Sequence, residues 1–154
     1  VRVRYKREGL QKLIAQLGGD AGSRVQVGVF ANKSTRKKDS RTIRTNAEIG
    51  YAHEFGAGSR NQMLPMRSFL RMPLFQHLRD DIRINWAKTI KERGMTAALK
   101  KLGVVCEGVI QKAFATGGFG QWTPLSPVTI RRKRSSAILI ETSQLRRSIS
   151  SRVV

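Results

Sequence analysis

Between residues 73 and 113 apolar side chains recur at helical spacing twice over, with a glycine between the two runs. Leu74, Leu78, Ile82, Trp86 and Ile90 follow at steps of four, with Arg79, Arg83, Lys88 and Lys91 among them. Leu99, Leu102, Val105, Cys106, Val109, Ile110 and Ala113 form a second stripe. Each pattern predicts a long amphipathic helix, the first over 73–93. Pro73 is tolerated near the start of the first. Gly94 breaks it, and Thr96 is the expected cap of the second. Gly103 and Gly108 sit inside the second helix, where each costs about 1 kcal/mol relative to alanine. Close approach of another backbone would offset that cost, so the two long helices are expected to cross there.

The flanking segments read as smaller elements. Leu10, Leu13, Ile14 and Leu17 predict a short helix over 4–17, ended by Gly18, Gly19 and Gly22. Val25, Val27 and Val29 alternate with polar residues, which predicts a strand with one face in the core. Residues 31–45 hold Lys33, Arg36, Lys37, Lys38, Arg41 and Arg44 with little apolar content. That composition predicts a mobile basic loop. Asn46 is the expected cap of a helix through Ala47, Ile49, Ala52 and Phe55, with Gly56 as its left-handed end. Residues 57–61 read as a loop, and Leu64-Pro65-Met66 as extended chain. Ser68 is placed to start the next turn. Residues 116–120 read as a flexible link. Ser126-Pro127 is a helix start, leading into Arg131, Arg132, Lys133 and Arg134. Thr142 is the expected cap of a short helix containing Leu145, and residues 149–154 predict a strand returning to the sheet.

At 154 residues the default is one domain over 1–154, large enough to bury roughly 70% of the surface of its unfolded form. A single cysteine, Cys106, excludes an intrachain disulfide and fits synthesis in a reducing compartment. Thirty Lys and Arg against ten Asp and Glu give a formal charge of +20. A field of that size favours polyanions: nucleic acid, an acidic membrane surface or an acidic protein. A solvated basic surface without a cognate polyanion is the plainer alternative. No apolar run approaches the ~18 residues of a membrane span, and the basic opening Val1–Arg7 leads into no apolar signal core. These features predict a soluble protein that is not exported.

Catalytic and metal-binding patterns are missing. His53-Glu54 begins a zinc-protease motif, but Ala57 stands where its second histidine belongs. With His77 as the other histidine, one Cys and two His do not make a closed zinc site. Gly117-Gly118-Phe119-Gly120 lacks the Gly-Lys-Ser/Thr ending of a phosphate loop. Asp80 and Asp81 are neighbours in a helix, so their side chains diverge by about 100°. Glu54 lies among apolar residues and reads as a structural carboxylate, hydrogen-bonded or ion-paired. Cys106, on the apolar stripe, reads as a buried inert thiol. No cofactor is expected.

Two stretches carry a resemblance. Tyr51-Ala52-His53-Glu54-Phe55-Gly56 followed by Leu64-Pro65-Met66-Arg67-Ser68-Phe69-Leu70-Arg71 resembles the signature of tail-completion proteins of tailed bacteriophages. Trp122-Thr123-Pro124-Leu125-Ser126-Pro127, then 129–133, then 138–149 resemble a segment of related phage morphogenesis and neck proteins, and Val25–Phe30 resembles the strand preceding it. The order of segments also matches. Two departures are Glu141-Thr142-Ser143, where Asp-Thr-Gly is usual, and Ser68, where Ala or Pro is usual. The resemblance implies an α+β fold, an antiparallel β-sheet packed against two long α-helices, with short capped helices beside the mobile basic loop. It implies a non-enzymatic head–tail joining subunit assembled in the host bacterial cytoplasm. In the virion, the subunit would lie in the neck or at the top of the tail.

Such subunits form rings, often hexameric, around the DNA channel, between a connector or adaptor and tail terminator or tail-tube proteins. A ring needs apolar and arginine anchors at its interfaces. Phe55, Met66, Arg67, Phe69, Leu70 and Trp122 are the candidates. Lys33, Arg36, Lys37, Lys38, Arg41, Arg44 and Arg131, Arg132, Lys133, Arg134 are the candidates to face DNA or an acidic partner. The alternative is a basic nucleic-acid-binding protein without sequence specificity. Both clusters could contact phosphate, but neither has the interleaved aromatics that base stacking requires.

Overall fold

The computed structural model describes residues 22–34, 45–59, 62–133, 135–140 and 143–154. The helix expected over 4–17 lies outside them. Strand β1 (Val25–Val29) is followed by a helical turn, α1 (Ala31–Ser34), and by α2 (Asn46–Phe55). Strands β2 (Ala57–Ser59) and β3 (Gln62–Leu64) lead to the two long helices, α3 (Arg71–Arg93) and α4 (Met95–Thr116). Short helices α5 (Pro127–Lys133) and α6 (Gln144–Ser148) precede strand β4 (Ile149–Val153). The fold is mixed helix and sheet, and both of its sheets are antiparallel pairs. Among the described residues, no helix is long and apolar enough to cross a membrane.

Strands β1 and β4 come from opposite ends of the described chain and pair with Val25 opposite Val153, Val27 opposite Ser151 and Val29 opposite Ile149. Arg24 and Val154 extend the ladder by one reciprocal pair, at 2.7 and 3.0 Å. The period of two puts Val25, Val27 and Val29 on the face shared with Ile149 and Ser151. That face lies against α4, and α4 also packs along α3. The core gathers at the C-terminal half of α4, where Ile110, Ala113 and Phe114 meet Phe69, Trp122, Leu145 and Ile149. Phe114 links two rings, at 5.1 Å from Phe69 and edge-on to Trp122 at 5.8 Å. Cys106 is buried, and burial raises its thiol pKa, as expected of an unreactive cysteine.

Several local expectations are corrected. Helix α2 is capped by Thr45, not Asn46. Thr45 Oγ1 accepts from Glu48 N at 3.2 Å and Glu48 Oε2 accepts from Thr45 N at 2.8 Å, a complete capping box. Asn46 is buried and donates to the Lys33 carbonyl at 3.2 Å. Residues 57–61 are not simply a loop, because β2 and β3 form a hairpin with Ala57 opposite Leu64. Thr96 lies inside the first turn of α4, whose N-cap is Gly94. The basic loop begins as α1, and its residues 35–44 lie outside the described ones. Ser143 holds the cap position of α6 in a left-handed conformation, and Thr142 lies outside the described residues.

The 116–120 stretch is a wound turn, not a loose link. Gly117 is left-handed, and both it and Gly118 donate to the Ala113 carbonyl. The chain then folds back so that Trp122 N donates to Gly117 O at 3.0 Å. Gly118 has φ +68° and lies flat against the Trp122 indole, leaving no room for a Cβ.

The expected crossing of the long helices at Gly103 and Gly108 is also corrected. Gly103 is buried against the sheet, where a Cβ would sit 2.5 Å from Ser151 Oγ and 3.6 Å from Val25 Cγ1. Gly108 faces open space. The two glycines should therefore respond oppositely to alanine. Gly103→Ala should destabilise the protein by about 2 kcal/mol through overpacking, and Gly108→Ala should stabilise it by about 1 kcal/mol through helix propensity. Urea unfolding of the two variants measures both signs.

Candidate functional site

The two signature stretches meet at the start of α3. A helix opens with N–H groups that its own carbonyls cannot reach, and here a side chain from α2 supplies the acceptors. Glu54 is buried. Its Oε2 accepts from Phe69 N at 2.9 Å and Leu70 N at 3.0 Å. Its Oε1 accepts from Arg71 N at 2.9 Å and Ser68 Oγ at 2.5 Å. Ser68 Oγ in turn accepts from Met72 N at 3.0 Å. Residue 73 is proline and has no N–H, and Leu74 N makes the regular bond back to Leu70 O. Every N-terminal donor of α3 is thus accounted for, and the negative carboxylate lies at the positive end of the helix dipole. Glu54 is the structural carboxylate the sequence suggested.

The Trp122 segment locks the same joint. Trp122 Nε1 donates to Ser68 O at 3.0 Å. Arg67 N donates to His53 O at 2.7 Å, while its guanidinium reaches Thr123 O from Nε at 3.0 Å and Pro124 O from Nη2 at 3.4 Å. Three pieces of chain, at 53–54, 67–72 and 122–124, are therefore one polar clamp over an aromatic core.

Beside the clamp opens a cavity of about 490 Å³. Its wall combines His53 from α2, Arg67, the Pro124–Ser126 turn, Arg132 and Lys133 from α5, and apolar side chains that include Ile49, Leu64, Leu139 and Leu145. Helix α5 starts as expected: Ser126 Oγ accepts from Thr129 N at 3.2 Å, and Pro127 is its first residue. Lys133 Nζ donates to Ala137 O at 2.8 Å. His53 Nδ1 is buried with no hydrogen-bond partner among the described residues. The ring's pKa is held down to about 4, first by burial and then by the positive charges of Arg67 and Lys133. Burial also lowers the Arg67 pKa from its ordinary value.

The interface candidates divide. Phe69, Arg67 and Trp122 are 0%, 5% and 7% exposed. They are corrected from surface anchors to internal ones, because the aromatic core and the clamp consume them. Leu70 is partly buried against the same core. Phe55 and Met66 are half exposed, and Tyr51 is 69% exposed. The Tyr51 and Phe55 rings lie 4.8 Å apart and tilted by 46°, with the Arg71 guanidinium 5.1 Å from the Phe55 ring. The backbone of Met66 passes against Gly56, next to Phe55. Tyr51 and Phe55 form an aromatic patch with a cationic edge at Arg71, and the backbone of Met66 runs beside it.

Among the basic candidates, Lys33, Arg131 and Arg132 are exposed, and Lys133 is half-buried in the cavity wall. Arg36, Lys37, Lys38, Arg41, Arg44 and Arg134 lie outside the described residues. Sequence reasoning missed the cavity altogether. Its walls come from segments as far apart in the chain as Ile49 and Leu145, and no spacing rule connects them.

Glu54→Gln should destabilise the protein by about 3 kcal/mol, because an amide turns one acceptor oxygen into a donor facing buried N–H groups. Equilibrium urea unfolding measures this. His53 gives a pH signature. Its folded pKa lies below the unfolded value of 6.5, so the neutral ring contributes stability that is complete above pH 6.5. That contribution is lost as pH falls toward about 4, by about 3 kcal/mol in all. Unfolding curves collected from pH 7 to pH 4 should show this loss, and His53→Gln should remove it. Comparison with protein-family models, curated proteins and solved structures found no match, so function has to be read from the residues.

Proposed function

We propose that the chain is a structural virion protein of a tailed phage, a tail-completion or neck subunit that forms a homo-oligomeric ring around the DNA channel. The observation that carries this reading is the clamp. Of the residues behind the resemblance, Glu54, Ser68, Phe69 and Trp122 bond to one another, and Arg67 ties the same three chain segments together through the carbonyls of His53 and Thr123. A motif with that role is architectural, as a family of non-catalytic ring subunits requires. In the finer form of this reading, the antiparallel sheet and the two long helices make the wall of each subunit. The Tyr51, Phe55 and Met66 patch is the anchor for the neighbouring subunit, since aromatic and arginine groups dominate such contacts. The +20 charge faces the DNA in the lumen or an acidic ring above or below, a connector, adaptor, tail terminator or tail-tube protein. The subunit acts without catalysis or cofactor in the neck of the virion, after assembly in the host bacterial cytoplasm.

The alternative is sequence-independent nucleic-acid binding. It is favoured by α5, which carries Arg131, Arg132 and Lys133 and has no acidic residue in its first turn. Native mass measurement separates the two. At moderate salt the protein should run as a discrete ring of several subunits. The double variant Phe55→Ser, Met66→Ser should run as a monomer with an unchanged unfolding midpoint. A wild-type protein that stays monomeric and binds DNA with a steep salt dependence would overturn the ring and support the alternative.

A further inference from the structure

The cavity beside the clamp has a charge arrangement that the clamp does not explain. Arg67 is 5% exposed, yet no carboxylate pairs with it among the described residues. Its Nε and Nη2 are taken by the carbonyls of Thr123 and Pro124. A guanidinium carries five N–H groups in a planar fork, so the Nη1 pair has no partner among the described residues. A buried positive charge without a counter-ion is costly. Arg132 and Lys133 add positive charge to the same cavity, and His53 Nδ1 in its wall is also unpartnered among the described residues. No Asp or Glu is among the described lining residues.

The rest of the wall is mixed: Ile49, Leu64, Leu139 and Leu145 give it apolar surface, beside the polar side chains of Ser126, Thr129, Ser143 and Gln144. The volume of about 490 Å³ falls in the range of sites that enclose a small ligand or a few side chains. A ligand matched to both halves carries an oxyanion beside an apolar group. A carboxylate forms charge-assisted hydrogen bonds with guanidinium N–H groups, which are stronger than those between neutral groups. A nucleic-acid strand fits less well, because no Phe, Tyr or Trp is among the described lining residues to stack a base.

We propose that this cavity is a socket for an acidic peptide segment of a partner protein, with a Glu or Asp carboxylate at Arg67 and Arg132 and a neighbouring apolar side chain against Leu139 and Leu145. The socket does not rest on ring assembly, because all its walls come from one chain.

The test uses the full chain with labelled methyl groups and histidine rings, titrated by NMR with the peptide acetyl-Leu-Glu-Leu-amide. Saturable shifts are expected at Leu125, Leu139 and His53. Binding should weaken by about tenfold for acetyl-Leu-Gln-Leu-amide and, with the Glu peptide, for Arg132→Gln. Arg132 is exposed, so that variant keeps the fold. Lys100→Gln, on the exposed side of α4, should bind as the wild type does. Equal binding of the Glu and Gln peptides would overturn the proposal. So would a short single-stranded oligonucleotide that shifts the same residues at lower concentration through Arg132.

Discussion

Helix α3 opens on N–H groups that only another part of the chain can satisfy, and the Glu54 carboxylate is what satisfies them. Two oxygens collect three backbone donors and the Ser68 hydroxyl. The acceptor is buried and charged, so its bonds are stronger than those between neutral groups. The same contact sets the position of Phe69, which is fully buried between α2 and α4. Gly50 of α2 makes this fit possible, since a Cβ there would lie 3.3 Å from the Phe69 ring. Trp122 then caps the arrangement through Ser68 O and rests on Gly118. Removing the carboxylate would leave both the start of a long helix and the anchor of the core without support.

The clamp also explains how a very basic chain can hold a cationic side chain inside. Arg67 is fixed by two backbone carbonyls from the Trp122 segment, which take its Nε and Nη2 without neutralising its charge. Burial first, and then its field with that of Lys133, lowers the His53 pKa to about 4. The result is a positive recess whose walls are partly apolar.

Much of the local structure was legible in the sequence. The helix expected over 73–93 is present as Arg71–Arg93, and the break at Gly94, the Ser126-Pro127 start and the returning strand at 149 are present as well. Each depends on residues within a turn or two of one another. The misses were of two kinds. At residues 45 and 46 two polar side chains compete for one cap, and Thr45 wins because Glu48 can reciprocate. At Gly103 the sequence indicated close approach, and the structure has it, but the partner is a strand and not the other long helix. A missing side chain says that something comes near, never what.

Helical periodicity, capping residues, turn glycines and the excess of positive charge are properties of the sequence by itself, because they involve neighbours along the chain. Which faces meet is a matter of tertiary packing alone. Phe55 and Phe69 are both aromatic, and both sit in the signature motifs, yet one is half exposed and the other sealed. Glu54 is recognisable in the sequence as an acid among apolar residues. Only the fold brings the start of α3 within 3 Å of it and so turns a lone carboxylate into the joint between two helices.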